Sequence, residues 1–257
     1  MPSTKCKTTP ARRLPKSASR AEEIELATIY LELKSRVAPT WGRCVEPDAD
    51  VKDLDGDILL AGDADDEICV GTISAHSVHL DQANEHGVPW FDVLDARIAD
   101  TATYIDLFDP GSSGYSDWVE CALEPFGSDL LILGRMRIEP EHGGHGYGLY
   151  AAQLMITGFA SGDIVACLPA PYELLKNAPA LGLVNEDTPS RRERSIPAGT
   201  AAQAKLRAYW SLLGFEQISE SEVYGLSLTA RRPSMEVIVQ NYFANKRRRA
   251  SKARANS

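Results

Sequence analysis

The chain of 257 residues lacks the marks of several protein classes. It has no apolar stretch near the ~20 residues that a membrane-spanning helix needs. Its five cysteines are scattered and form no C-x-x-C pair, so the sequence indicates neither a disulfide framework nor a zinc site. Residues 1–20 lack the apolar core of a secretory signal. A reducing cytoplasm is therefore the compartment that we expect.

Negative charge dominates the chain but is absent from both of its ends. The sequence has 27 basic and 36 acidic residues, a net charge of −9. Residues 1–20 and 246–257 hold six basic residues each and no acid, which leaves 15 basic and 36 acidic residues between them. This body, with a net charge of −21, would attract a cationic substrate such as an amine, although a solvated acidic surface has the same composition. We expect the two basic ends to be disordered tails.

Residues 129–160 predict a strand, a glycine loop and a helix in succession. The apolar run from Leu130 to Leu133 is typical of a central strand that is covered on both faces. Pro140 then ends the strand, because proline has no N–H to donate. Leu149 opens a series of apolar residues at helical spacing. Between strand and helix lie four glycines, Gly143, Gly144, Gly146 and Gly148.

A glycine-rich turn before a helix predicts an anion-binding site. Its backbone N–H groups are uncovered, they lie at the positive end of the helix dipole, and no Cβ blocks a phosphate. A P-loop is excluded because Leu149 and Tyr150 stand where Lys-Ser or Lys-Thr is required. A dinucleotide loop is disfavoured, because Leu149 replaces its third glycine and the next predicted strand, over 163–168, ends without an acid. The third interpretation is a coenzyme A pyrophosphate loop.

Two motifs together resemble the GNAT acyltransferase family. Residues 140–148 resemble its loop, Q/R-x-x-G-x-G/A after a strand that ends in a proline turn. Residues 205–215 resemble its second hallmark, a helix with an aromatic residue followed by Leu-Gly-Phe, and Gly214 suits the position after a helix end. Thr200 and Gln203 fit a capping box at the start of that helix. The motifs stand in the family's order, and the resemblance covers residues 129–229.

The resemblance implies a mixed α/β (α+β) fold over residues 21–245, with a central mixed sheet flanked by helices. It implies acetyl-CoA as co-substrate, no metal, and direct attack of an amine on the thioester. The strand end would pair with the pantetheine amides, and the loop amides would hold the pyrophosphate. The residues implied in these contacts are Met136, Arg137, Ile138, Gly143, Gly144, His145, Gly146, Tyr147 and Gly148.

Two residues depart from the family pattern. Gly143 stands where the family has Gln or Arg, so a side-chain contact to phosphate is missing, which His142 or His145 could replace. Trp210 stands where the family has the tyrosine that protonates the departing thiolate. Tyr209 is adjacent but about 100° around the helix. We assign Tyr209 as the catalytic acid; unassisted departure is the alternative, because a thiol with a pKa of ~8.5 is a tolerable leaving group.

The sequence leaves the general base and the acceptor open. His142 and His145 have no evident third ligand apart from Glu141, so we predict no metal site. Small amines, antibiotics and protein amines all remain as acceptors. Candidate bases, each of which equally suits a surface position, are Glu139, Asp129, Asp92, Asp95, Glu120 and Glu124.

Outside the motifs, helical patterns cover residues 21–36, 90–107, 117–123 and 234–245. Strands are expected over 57–61 and 67–75, and a closing hairpin over 216–219 and 222–229. Residues 88–126 form an expected helical insertion, which is either an acceptor wall or lid or the family's usual early helices. Residues 169–199 form a long insertion in which Arg191, Arg192 and Arg194 meet a phosphate, a carboxylate or only solvent.

The sequence therefore predicts a cytoplasmic N-acetyltransferase with acetyl-CoA as donor and an amine as acceptor. The alternative is a non-catalytic relative that binds acyl-CoA and acts through its basic tails. Those tails could contact nucleic acid or an acidic partner, although nucleic acid is not favoured. Contact with a membrane is not predicted.

Overall fold

The computed structural model describes residues 29–37, 50–61, 66–97, 101–109, 113–160, 164–170, 201–229 and 232–255. Here the protein has a mixed α/β fold with one open sheet of seven strands, in the order β1-β2-β3-β4-β5-β7-β6, which confirms the mixed α/β class of the prediction. No helix in these residues is long and apolar enough to cross a membrane. The strands are β1 (Ile29–Val37), β2 (Val51–Ala61), β3 (Glu67–Val78), β4 (Leu130–Ile138), β5 (Ile164–Cys167), β6 (Glu216–Gln217) and β7 (Tyr224–Ser227).

Among these strands, β4 and β5 are the one parallel pair of neighbours; the others are antiparallel. The parallel pairing runs from Leu130 opposite Ile164 to Leu133 opposite Cys167. β4 then continues to residue 138, whereas β5 ends two residues before Pro169, which has no N–H for a ladder. The two strands therefore part after Leu133.

Helices cover both faces of the sheet. They are α1 (Leu80–His86), α2 (Trp90–Arg97), α3 (Thr101–Tyr104), α4 (Asp117–Leu123), α5 (Tyr147–Phe159), α6 (Ala201–Trp210) and α7 (Met235–Ala255). Because side chains alternate along a strand, Leu131 and Leu133 lie in a first core with α5, α6 and α7. Leu130 and Ile132 lie in a second core with α1 to α4.

The structure confirms the elements that the two motifs predict. β4 and α5 flank the glycine loop, and β5 lies within the predicted buried strand. After α6, Gly214 adopts a φ of 95°, the left-handed conformation expected of a glycine that follows a helix end. β6 and β7 form the predicted antiparallel hairpin. α4 matches the predicted helix over 117–123.

The predicted helix over 21–36 is wrong for residues 29–36, because β1 occupies them. Ile29, Leu31 and Leu33 pack against the first core, at the period of two that is typical of a strand. β1 pairs along its whole length with β2, and this pairing outweighs the local helical pattern. β2 itself begins at Val51, earlier than the predicted residue 57. Residues 21–28 lie outside the described part.

The segment between β3 and β4 has shorter helices than predicted. α1 is an additional helix, and the predicted helix over 90–107 is divided into α2, α3 and a 3-10 turn at Ile105–Leu107. These elements pack in the second core, where the rings of Trp90, Phe108 and Tyr115 contact one another. The arginines expected in the 169–199 insertion lie outside the described residues.

The C-terminal helix is longer than predicted. The helix expected over 234–245 is α7, which continues to Ala255. The expectation of a disordered tail is therefore wrong for residues 246–255. Ile238 near the beginning of α7 is buried in the first core, whereas residues 247–251 are exposed. The basic segment is thus the outer end of a helix whose inner end belongs to the body. Residues 1–20 are outside the described part.

Candidate functional site

The glycine loop makes a tight turn between β4 and α5. A 3-10 turn at Pro140–His142 follows β4, and Gly144 and Gly146 then adopt φ values of 82° and 84°. These left-handed conformations favour glycine. The N-cap residue of α5 is Gly146, which has no side chain to cap the helix, and the first turn contains no acidic residue. The loop therefore lies at the positive end of a helix of 13 residues.

The end of β4 has one open edge. Glu139 donates its backbone N–H to the carbonyl oxygen of Val70 in β3 at 2.9 Å. Backbone groups alternate in direction along an antiparallel strand. The N–H and C=O groups of Met136 and Ile138 therefore point away from β3. On that side no described strand pairs with β4 beyond Leu133. Backbone donors and acceptors of Met136 and Ile138 therefore face the gap between β4 and β5.

A β-bulge precedes this open edge. The pairing of β3 with β4 shifts register between Ile73 and Ala75, so Ser74 faces both Gly134 and Arg135. The hydroxyl oxygen of Ser74 accepts the backbone N–H of Arg135 at 3.0 Å, which satisfies a donor that the bulge displaces. A bulge bends its strand and increases the twist. Its position next to Leu133 explains why β4 leaves β5 there.

Tyr209 reaches the first turn of α5 from α6. A Cβ on Gly148 would lie 2.5 Å from the Tyr209 hydroxyl and 3.0 Å from Cε of Met136. The missing side chain of Gly148 therefore leaves room for both groups. Burial, followed by the neighbouring Tyr242, raises the pKa of Tyr209, and a hydrogen bond with the Leu149 backbone opposes that rise. The Tyr209 hydroxyl is consequently protonated at neutral pH.

The neighbouring Trp210 is a core residue. It is 7% exposed, and its ring packs against Phe215 with a centroid distance of 5.4 Å. The side chain at the family's usual acid position therefore faces the first core, as its helical phase relative to Tyr209 requires.

The side chain of His145 contacts other residues of the loop. Nδ1 of His145 lies 3.0 Å from the carbonyl oxygen of His142, so this ring nitrogen carries a proton. The His145 ring also stacks on Tyr147, with centroids 5.3 Å apart. Arg137 lies apart, because alternation along β4 places its side chain on the other face from Met136, where it is 3.5 Å from Glu139.

The structure thus brings most of the predicted contact residues to one place. We call this place the loop corner: the end of β4 at Met136–Ile138, the glycine loop at residues 143–146, the first turn of α5, and Tyr209. The backbone of Arg137 belongs to it, whereas its side chain does not.

A histidine–aspartate pair on the second face of the sheet was not predicted. Nδ1 of His76 in β3 lies 2.9 Å from Oδ1 of Asp53 in β2, and both side chains are about one-quarter exposed, at 26% and 24%. A carboxylate that accepts the Nδ1 proton leaves Nε2 as the acceptor of a neutral ring. His76 faces Ile132 of β4, close to the point where β4 leaves β5. Alternation could have indicated the face, but only the strand register joins the two residues.

The carboxylates considered from sequence lie elsewhere. Asp129 precedes β4, at the end opposite the loop, and lies 3.1 Å from Nδ1 of His79. Helices α2 and α4 pack in the second core with Leu130, the first residue of β4. Glu139 follows β4 directly but faces Arg137. The four carboxylates on or next to α2 and α4, which the structure does not bring to the loop, are Asp92, Asp95, Glu120 and Glu124.

Comparison of the chain with protein-family models, curated proteins and solved structures found no match. In the described residues, no group of three or more His, Cys, Asp or Glu side chains could hold a metal ion. The function is therefore inferred from the loop corner and from the resemblance of the two motifs.

Proposed function

We propose that this protein is an N-acetyltransferase of the GNAT superfamily, which transfers the acetyl group of acetyl-CoA to an amine. The observation that carries the proposal is the parting of β4 from β5 directly before a glycine loop that opens a helix. An open strand edge suits an extended chain of amides, and a helix N-terminus suits a diphosphate. Coenzyme A contains both groups in succession.

The residues of the loop corner fit this donor. Met136 and Ile138 offer backbone groups to the pantetheine amides, and the amides of residues 143–148 offer donors to the pyrophosphate. The side chain of Arg137 takes no part in these contacts. His145 and Tyr147 contribute by shaping the loop.

The proposed reaction is direct aminolysis of the thioester. The amine nitrogen bonds to the acetyl carbon, the carbon–sulfur bond breaks, and the products are an amide and free coenzyme A. An amine with a pKa of ~10.4 is neutral about once in 2,500 molecules at pH 7, which costs about 4.6 kcal/mol. The neutral form attacks, and a base then takes the proton that the nitrogen carries once it has bonded to the acetyl carbon.

His76 is the base that we assign to this reaction. Asp53 holds its Nδ1, so Nε2 can take the proton of the amine. His76 is partly exposed and lies on β3 beside the strand whose edge would bind the donor. The sulfur leaves as a thiolate, which the hydroxyl of Tyr209 stabilises by a hydrogen bond. The proton stays on Tyr209, because the raised pKa of its hydroxyl exceeds that of a thiol at ~8.5.

Calorimetric titration with acetyl-CoA, with NAD and ATP as controls, tests the proposal. We expect micromolar binding of acetyl-CoA and none of the controls in that range. Release of free thiol in the presence of an amine panel then identifies the acceptor. Absence of acetyl-CoA binding would contradict both the donor and the role of the loop.

A non-catalytic acyl-CoA-binding relative is the second candidate. It is favoured by the three arginines at 247–249, which are exposed at the outer end of α7 and suit a polyanionic partner. Such a protein would bind acetyl-CoA but release no thiol with any amine. Its affinity for the partner would fall steeply with salt.

A further inference from the structure

α7 lies over the glycine loop. Ile238, Tyr242 and Lys246 recur at every fourth position, so they share one face of the helix. Ile238 is buried in the first core. Ring atoms of Tyr242 lie 3.7 Å from the position of a Cβ on Gly146. The ammonium group of Lys246 donates to the carbonyl oxygen of Gly144 at 2.6 Å.

The place of Lys246 depends on a glycine. A Cβ on Gly144 would lie 2.6 Å from Nζ of Lys246, so a side chain there would displace the ammonium group. Gly144 is therefore favoured for its φ of 82° and leaves room for this close approach. The contact joins two positions that are 102 residues apart.

The loop itself offers no strongly basic side chain. Residues 143–148 contain neither Lys nor Arg, and Gly143 stands where the family has Gln or Arg. His145 is engaged with the carbonyl oxygen of His142 through Nδ1. A diphosphate carries negative charge that backbone amides alone do not neutralise. Lys246 brings an ammonium group to this place from α7.

We propose that Lys246 binds the diphosphate of the acyl donor and thereby replaces the basic side chain that the loop lacks. This inference rests on the proposed function and assigns α7 to its site. An ammonium group has three donors, so it can hold the Gly144 carbonyl and a phosphate oxygen together. A charge-assisted contact of this kind is stronger than one between neutral groups. The donor is consequently recognised by its phosphates as well as by its pantetheine arm.

Four single variants test the role of charge at this position. Lys246→Met should weaken acetyl-CoA binding by about tenfold to a hundredfold, as expected for loss of a hydrogen bond to a charged group. Lys246→Gln should weaken binding equally. Its amide can still hold Gly144, but it carries no charge. Lys246→Arg should keep most of the affinity. Arg248→Met, the control on the exposed side of α7, should change it less than about twofold.

Two truncations and one shorter donor make the test independent of a single substitution. A chain that ends at Asn245 should bind acetyl-CoA as weakly as Lys246→Met, whereas a chain that ends at Ala250 should bind like the full chain. S-acetylpantetheine has the same thioester arm without the diphosphate. Its kcat/KM should be the same for Lys246→Met as for the full chain.

The outcomes separate this inference from the proposed function. If the full chain does not bind acetyl-CoA, the proposed function fails and this inference fails with it. If the full chain binds but Lys246→Gln binds equally well, Lys246 only positions the loop and the inference is overturned. Tighter binding by Lys246→Met would also overturn it, since Lys246 would then compete with the phosphate.

Discussion

Gly146 is the residue at which the anion site can be tested most directly. Its φ of 84° disfavours most side chains, but Asn and Asp tolerate this conformation better than the others. A Cβ there would meet ring atoms of Tyr242 at 3.7 Å, which is an ordinary contact. Asn and Asp have nearly the same shape. Gly146→Asn and Gly146→Asp therefore separate the effect of charge from that of backbone strain.

We expect Gly146→Asp to abolish binding of acetyl-CoA, with a loss of affinity of at least about a hundredfold. A carboxylate at the N-terminus of α5 repels a diphosphate at close range. Gly146→Asn should retain affinity within about tenfold, because it adds strain without charge. Calorimetry gives both affinities, and urea unfolding checks that both variants are folded. Equal affinities would place the phosphates elsewhere.

His76 is the second residue that can be tested alone. His76→Gln keeps a donor toward Asp53 but removes the basic nitrogen. We expect kcat for acetyl transfer to fall by about a hundredfold or more, the usual contribution of a general base. The KM for acetyl-CoA should stay constant, because His76 is not part of the loop corner. His86→Gln is the matched control, since His86 also meets an aspartate, Asp50, through Nδ1. A similar fall in both variants would exclude His76 as the base.

At the scale of secondary-structure elements, two glycines of the motif helices should respond oppositely to alanine. Gly214 ends the turn after α6 with a φ of 95°, and a Cβ there would lie 3.3 Å from Cδ1 of Leu226. Gly158 lies within α5, and a Cβ there would meet nothing within 4 Å. Gly214→Ala should lower the free energy of unfolding by about 1–2 kcal/mol. Gly158→Ala should raise it by up to about 1 kcal/mol.

Urea unfolding at constant pH measures both changes. The slope of the free energy of unfolding against urea concentration should be the same in both variants, because neither changes the area buried on folding. If Gly214→Ala left the stability unchanged, the left-handed turn would not constrain the junction between α6 and β6. The conformation of the turn would then not explain why position 214 is a glycine.

The local patterns of the sequence predict the elements that are specified locally. The apolar run before Pro140, the glycines and the helical spacing after them predict β4, the loop and α5 because each signal lies within a few residues. Gly214 is similar, since the sequence Leu-Gly-Phe after a helical face predicts the left-handed turn that the structure has. These are the elements that form the loop corner.

Features that depend on pairing over long distances were not predicted. Tyr30 and Leu31 fit a helical stripe, but pairing with β2 makes this segment a strand. The contact of His76 with Asp53 joins two strands through their register, which the composition of neither strand reveals. Lys246 lies in a basic run for which the sequence predicts a disordered tail, whereas its contact lies 102 residues away. Local pattern therefore predicts the loop but neither the His76–Asp53 pair nor the contact of Lys246 with Gly144.

At the scale of the whole molecule, part of the acidic excess is balanced within the sheet. In the register of β1 with β2, Lys34 stands opposite Asp55. Opposite charges in such cross-strand positions stabilise a sheet modestly. The Asp55 carboxylate therefore contributes less to attraction of a cationic acceptor than a count of acidic residues suggests. The attraction expected from the net charge has to come from the remaining surface.

Several protons are held more tightly in the folded molecule than in the unfolded chain. Burial raises the pKa of the Cys167 thiol and of the hydroxyls of Tyr209, Tyr242 and Tyr150. A hydrogen bond with Glu67, followed by burial, raises the pKa of Tyr30 to about 12. In the unfolded chain, thiols ionise near pH ~8.5 and tyrosines near ~10. The unfolded state therefore loses these protons first, so the protein loses stability as the pH rises through that range.

The thiol of Cys167 accounts for the first part of this loss of stability, because thiols ionise at lower pH than tyrosines. We expect the free energy of unfolding to be nearly constant up to about pH 8 and then to fall, with up to ~1.4 kcal/mol per pH unit due to Cys167. Cys167→Ala should be less stable at neutral pH, because it leaves a cavity in the first core, but its stability should fall less steeply above about pH 8.5. Cys121→Ala, at an exposed thiol, should keep the original slope. Urea unfolding across this pH range measures all three proteins. Identical slopes would mean that the Cys167 thiol ionises as readily in the folded protein as in the unfolded chain, and that β5 is open to solvent at the point where it leaves β4.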